Sequence, residues 1–155
     1  MTTPAASRAL LDDLVAVIGA SAGRQQAAEA LVEHLKTRLP HYTWVGIYWL
    51  DGQTQELVLG PYLGKPSPHT RIPLNRGICG AAASQQQTIV VDDVRADPRY
   101  LACSLETRSE IVVPIMDGAT VLGEIDIDSD RPAAFGDADR ALLEAAARAL
   151  AARPA

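Results

Sequence analysis

The chain has 155 residues, 48% of them apolar and 21% charged, which is enough to close one core over residues 1–155 without disulfides or a structural metal. A net charge of -5 argues against a nucleic-acid or anionic-membrane surface and leaves small molecules or proteins as partners. No stretch is apolar for long enough to span a bilayer, and no basic leader precedes an apolar run, so a cytoplasmic protein is expected.

In chain order, Leu10, Leu11, Leu14, Val15 and Ile18 follow helical spacing and predict a helix from Ser7 to about Ile18. A second helix is predicted from Gln25 to Leu39, with Ala28, Leu31, Val32 and Leu35 on one stripe and Pro40 as its stop. The period then changes. Thr43 to Leu50 is aromatic and β-branched, Asp51-Gly52 signals a turn, and Glu56 to Leu63 reads as the partner strand of a hairpin. Gly64 to Thr70, rich in Pro and polar residues, is an ordered loop placed to cross a pocket.

Arg76 to Gln87 reads as a short helix of small, close-packing residues, and Thr88 to Val94 as a strand. After a polar connection, Glu110 to Met116 and Thr120 to Asp128 form a second hairpin around Asp117-Gly118. The last helix is expected from about Asp137 to Ala151, with Leu142, Leu143, Ala146 and Leu150 as its stripe. This order gives an α+β fold, a mostly antiparallel sheet with helices on one face. The alanine-rich first and last helices are suited to packing on each other or on a second copy.

Three features carry chemistry. The two cysteines, Cys79 and Cys103, are too few for a secreted disulfide framework and lack the spacing of a zinc site, so no metal is expected. Cys103 lies in a polar loop with Arg99 and Arg108 near in sequence, where a thiolate is favoured; the alternative is a small buried apolar residue. Cys79, in GICGAAA, alone reads as packing, yet two intracellular thiols allow a cycle of attack, sulfenic acid and disulfide.

The third feature is acidic. Alternation along GEIDIDSD puts Glu124, Asp126 and Asp128 on one face, either a wetted sheet surface or the wall of a pocket that binds an ammonium group. In a pocket, crowding of like charges would raise one pKa and leave a neutral acid. Trp44 and Tyr48 share one face and Trp49 takes the other; most such aromatics are core, and one of them can wall a ligand. His69 reads as a loop histidine.

Taken in order, WVGIYWL, LVLGPYLGKP, TRIPLNRGICGAAA, VVDDV, the run from Cys103 to Pro114 and GEIDIDSD resemble the GAF-domain free methionine-(R)-sulfoxide reductases, over about Tyr42 to Phe135. The resemblance implies a GAF fold with the N- and C-terminal helices on one face and the ligand pocket on the other. It implies a small cytosolic enzyme, usually a homodimer, that reduces free L-methionine-(R)-sulfoxide, holds no bound cofactor and is recycled by a reductant such as thioredoxin. Carried over by motif, Cys103 resembles the attacking cysteine and Cys79 a further family cysteine. Glu110, Asp126 and Asp128 resemble the acids that bind and protonate the substrate, and Trp44 the wall against its methyl group. Family members usually have a resolving cysteine in the loop after GKP, and here that loop reads SPHT. The rival reading is a non-catalytic GAF module that binds a small molecule and signals.

Overall fold

The computed structural model describes residues 3–102 and 104–155. It contains helices α1 (Pro4–Ala20), α2 (Arg24–Arg38), α3 (Gly77–Gln85) and α4 (Asp137–Ala151). The strands are β1 (Trp44–Asp51), β2 (Glu56–Leu63), β3 (Arg71–Pro73), β4 (Ile89–Val91), β5 (Ser109–Asp117) and β6 (Thr120–Ser129).

The helix ends follow from local chemistry. Thr3 caps α1 by accepting from the Ala6 N–H at 3.2 Å, with Pro4 at the first turn where its missing N–H costs nothing. The chain leaves α2 at Leu39, ahead of Pro40. At α4 the Asp139 carboxylate reaches back to the Gly136 N–H at 3.0 Å, and its other oxygen accepts from the buried Tyr42 hydroxyl at 2.6 Å.

The strands form one sheet in the order β3-β2-β1-β6-β5-β4, with antiparallel pairing throughout. The β1–β2 connection is held by Asp51 Oδ1, which accepts from the N–H groups of Gln53 and Thr54, and the β5–β6 turn uses Gly118 at φ +60°. β3 was not foreseen: it is three residues long, ends on a proline, and exists through its pairing with Glu56–Val58. The strand expected over Thr88–Val94 is shorter, because Asp93 caps a 3₁₀ turn over Val94–Ala96.

Side-chain alternation divides the sheet into two faces. Val45, Ile47, Ile111, Val113, Ile115, Ile125 and Ile127 meet α1, α2 and α4 in the larger core. This is the helical face expected, and α1 and α4 pack on each other within it. The opposite face carries Trp44, Tyr48 and Val112, and α3 covers it with Ile78, Cys79, Ala82 and Ala83. The smaller layer holds the polar site.

Candidate functional site

β6 supplies the acids. Glu124, Asp126 and Asp128 lie on its α3-facing side and are 0%, 4% and 2% exposed, which rules out the wetted sheet surface. Pairing fixes their neighbours: Glu124 stands between Tyr48 and Pro114, Asp126 between Gly46 and Val112, and Asp128 between Trp44 and Glu110. The missing side chain at Gly46 matters here, because a Cβ at that position would overlap the Trp44 indole and press on Tyr62. Trp44 therefore lies down over β1, stacked on Tyr62 with ring centroids 5.6 Å apart.

α3 delivers the thiol. Cys79, 5% exposed, donates from Sγ to Asp126 Oδ2 at 3.3 Å. Glu110 of β5 also hydrogen-bonds Asp126, so two groups from two other elements converge on one β6 carboxylate. Burial pushes the Asp126 carboxyl above its ordinary value, and the hydrogen bonds from Glu110 and Cys79 partly offset it. Glu124 is pushed well up by burial and by the charge of Asp126. Burial raises the Cys79 thiol well above its usual value too, reinforced by the charges of Asp126, Glu124 and Glu110. Cys79 is thus a protonated thiol and a poor nucleophile.

Two cavities flank these acids. One, of about 20 Å³, is lined by Tyr48, His69, Ile78, Cys79, Glu110 and Asp126, with Leu101 and Ile72 at its apolar side. The other, of about 80 Å³, is lined by Trp44, Asp128, Lys65, Glu106, Thr107 and Asp130. The carry-over from motifs placed Cys79, Glu110, Asp126, Asp128 and Trp44 together. All five lie on this face, but Trp44 and Asp128 open onto the second cavity and the other three onto the first. The cross-strand pair Glu110–Asp128 stands between them. The expectation for Cys103 falls on a residue outside those described.

The Gly64–Thr70 loop does cross this face. Its two ends are tied to β1 by backbone oxygens: Trp44 Nε1 donates to the Lys65 carbonyl at 3.0 Å and the Tyr48 hydroxyl to the His69 carbonyl at 2.7 Å. Two side chains then join it to the segment after Pro98, the Lys65–Glu106 ion pair at 2.8 Å and His69 Nε2 with the Ala102 carbonyl at 3.2 Å. Glu106 is thereby an exposed ion-pair partner, and Arg99 is held by Asp97 at 2.7 Å. Tyr48 and His69 were not singled out as site residues. Alternation with Trp44 marks the face of Tyr48, whereas nothing local to His69 says that its loop folds over the acids.

The family model described as GAF domain matches residues 23–153. GAF domain-containing protein A of Dictyostelium discoideum is 41% identical over 103 residues, 66% of this chain and 64% of that protein. The free methionine-R-sulfoxide reductase of Saccharomyces cerevisiae is 40% identical over 125 residues, 78% of this chain and 68% of that protein. The matches thus span about two-thirds of the length of these relatives. Among solved structures, free methionine-R-sulfoxide reductase from Neisseria meningitidis in complex with its substrate superposes with a TM-score of 0.92 at 35% identity, covering 97% of this chain and 89% of that one. With a sheet flanked by α1, α2 and α4 on one face and a buried acid–thiol pocket on the other, the chain belongs to the GAF-domain family, in the branch that holds the free methionine-R-sulfoxide reductases.

Proposed function

We propose that the protein reduces free L-methionine-(R)-sulfoxide to methionine at the cavity between α3 and the Gly64–Thr70 loop. The observation that carries this is the buried hydrogen-bonded pair Glu110–Asp126 lining a small cavity beside Cys79. A carboxyl pair sharing a proton there can protonate an oxygen presented to it.

In this mechanism the Cys103 sulfur takes the sulfinyl oxygen: the S–O bond of the substrate breaks, its sulfur gains two electrons to become a thioether, and Cys103 is oxidised to the sulfenic acid. The Glu110–Asp126 pair supplies a proton to that oxygen as negative charge develops on it. Asp128 and Trp44, around the neighbouring cavity, hold the ammonium and apolar parts of the amino acid. A second thiol then condenses with the sulfenic acid, releasing water and leaving a disulfide that a dithiol reductant such as thioredoxin reopens. Within the chain that thiol is Cys79, the remaining cysteine.

No bound cofactor is required by this chemistry. A cytoplasmic setting agrees with a free Cys79 and with the absence of any helix long and apolar enough to cross a membrane among the described residues. Homodimerisation is the assembly this reading carries with it.

The test is to incubate the reduced protein with free L-methionine-(R)-sulfoxide, its S epimer and a peptide containing methionine sulfoxide, each with dithiothreitol. Methionine from the free R epimer alone, lost in Cys103→Ser, is the expected result. No methionine from any of the three, with thermal stabilisation by the free R epimer, would replace the enzyme with a ligand-binding module.

A further inference from the structure

Among the described residues, Cys79, Glu110 and Asp126 form one group whose ligand atoms, a thiol sulfur and two carboxylate oxygens, all lie within 4.8 Å of one another. The three are buried and come from α3, β5 and β6, so their spacing is set by the packing of the helix on two paired strands. The 3.3 Å between Cys79 Sγ and Asp126 Oδ2 is close to one edge of a tetrahedron with roughly 2.3 Å zinc–sulfur and 2.0–2.2 Å zinc–oxygen bonds.

A second observation is independent of the trio. Glu124, 0% exposed, precedes Asp126 by one step on the same face of β6, and both of its oxygens lack a hydrogen-bond partner, as does Asp126 Oδ1. Its charge bears on Cys79, which places the carboxylate beside the thiol. Among the described residues, no lysine or arginine lines the cavity where Cys79, Glu110 and Asp126 meet. Protons neutralise these buried donors when no cation is present, and a divalent cation can take their place by displacing them.

We propose that this cavity binds a thiophilic divalent cation, with zinc as the type, through Cys79 Sγ and one oxygen each of Glu110 and Asp126. The fourth position faces the open cavity, and Glu124 supplies negative charge behind the site. The thiolate ligand selects zinc, cobalt or cadmium over magnesium or calcium, which take oxygen shells. Binding releases the Cys79 proton and forms the metal–sulfur bond with no change of oxidation state. The ion fills the space assigned above to the substrate, so it inhibits turnover reversibly; only this last consequence rests on the proposed reductase activity.

The experiment uses the full chain, reduced and metal-free, with no sulfoxide present. It is titrated with zinc against a chromophoric chelator, and separately with cobalt while the thiolate-to-cobalt charge-transfer absorption is followed. One equivalent of zinc and a charge-transfer band are expected in the wild type and in Cys103→Ser. Cys79→Ser should lose the band and bind zinc at least about 10–100-fold more weakly, and Asp126→Asn should weaken zinc while keeping a native far-ultraviolet spectrum. Absence of the band in wild type, or its loss in Cys103→Ser with retention in Cys79→Ser, would overturn the proposal. Should Cys79→Ser not fold, the band in Cys103→Ser decides, since Cys79 is then the sole thiol. Methionine formation with a chelator present is measured in a separate arm, so a reductase without a metal site and a metal site without reductase activity give different results.

Discussion

The Sγ of Cys79 donates a 3.3 Å hydrogen bond to Oδ2 of Asp126, in a pocket that Glu110 also lines. That single contact makes the two cysteines unequal. A thiol held protonated by burial and by three carboxylates cannot initiate attack, so Cys79→Ser should still form methionine in one turnover with dithiothreitol. With thioredoxin as reductant its steady-state rate should fall, and Cys103→Ser should lower both by roughly three orders of magnitude or more. Quantifying methionine in single-turnover and coupled assays checks this; an inactive Cys79→Ser in the single-turnover arm would reverse the assignment.

Asp126 sits where Cys79 and Glu110 converge, so its loss should affect chemistry more than folding. Asp126→Asn is expected to reduce kcat/KM by about 10²–10⁴, the usual worth of a positioned proton donor. The melting temperature should change little, since an amide keeps the shape and removes a buried charge. Calorimetry beside steady-state kinetics separates the two effects.

The buried carboxyls also set a pH dependence of stability. Glu124 and Asp126 have folded pKa values raised above their ordinary 4.5 and 3.8, so the folded protein holds their protons more tightly than the unfolded chain. Their contribution is complete below those ordinary values and is lost as pH rises through the folded ones. His41 acts in the opposite direction: burial lowers it from 6.5, so its contribution is present above 6.5 and is lost as pH falls through its folded value. Melting curves from pH 4.5 to 9.0 should therefore show a wild type that loses stability with rising pH relative to Glu124→Gln. Parallel curves for the two proteins would mean that Glu124 does not titrate in this window.

At Gly46 the space is already taken by the Trp44 ring. Gly46→Ala should cost about 1–3 kcal/mol, the usual penalty of overpacking, and should shift Trp44 from the wall of its cavity. The expected signature is a raised KM together with a change in tryptophan fluorescence. Gly52→Ala, whose Cβ meets nothing within 4 Å, is the control for added backbone stiffness alone.

Elements with a strong local pattern were legible in the amino-acid sequence. β2 and α4 have the bounds expected for them, one set by a turn signal and the other by Gly136 ahead of a clear stripe. β3 was not legible, since Arg71–Pro73 becomes a strand only by lying beside β2. For the acids, alternation showed that Glu124, Asp126 and Asp128 share a face but not what covers it. The cover is α3, whose Cys79 is 47 residues from Asp126, and a loop anchored by Tyr48. The division of Trp44 and Cys79 between two cavities was equally hidden, because it depends on the register that puts Glu110 opposite Asp128.

The ties that Trp44 and Tyr48 make to the loop above them end on the carbonyl oxygens of Lys65 and His69, and every residue type has such an oxygen. These two ties are thus independent of which side chains stand at positions 65 and 69. An imidazole, a hydroxyl or a thiol at position 69 would be held over the same acids by the same two bonds. A lineage can therefore exchange one redox partner for another by a single codon change, without rebuilding the pocket.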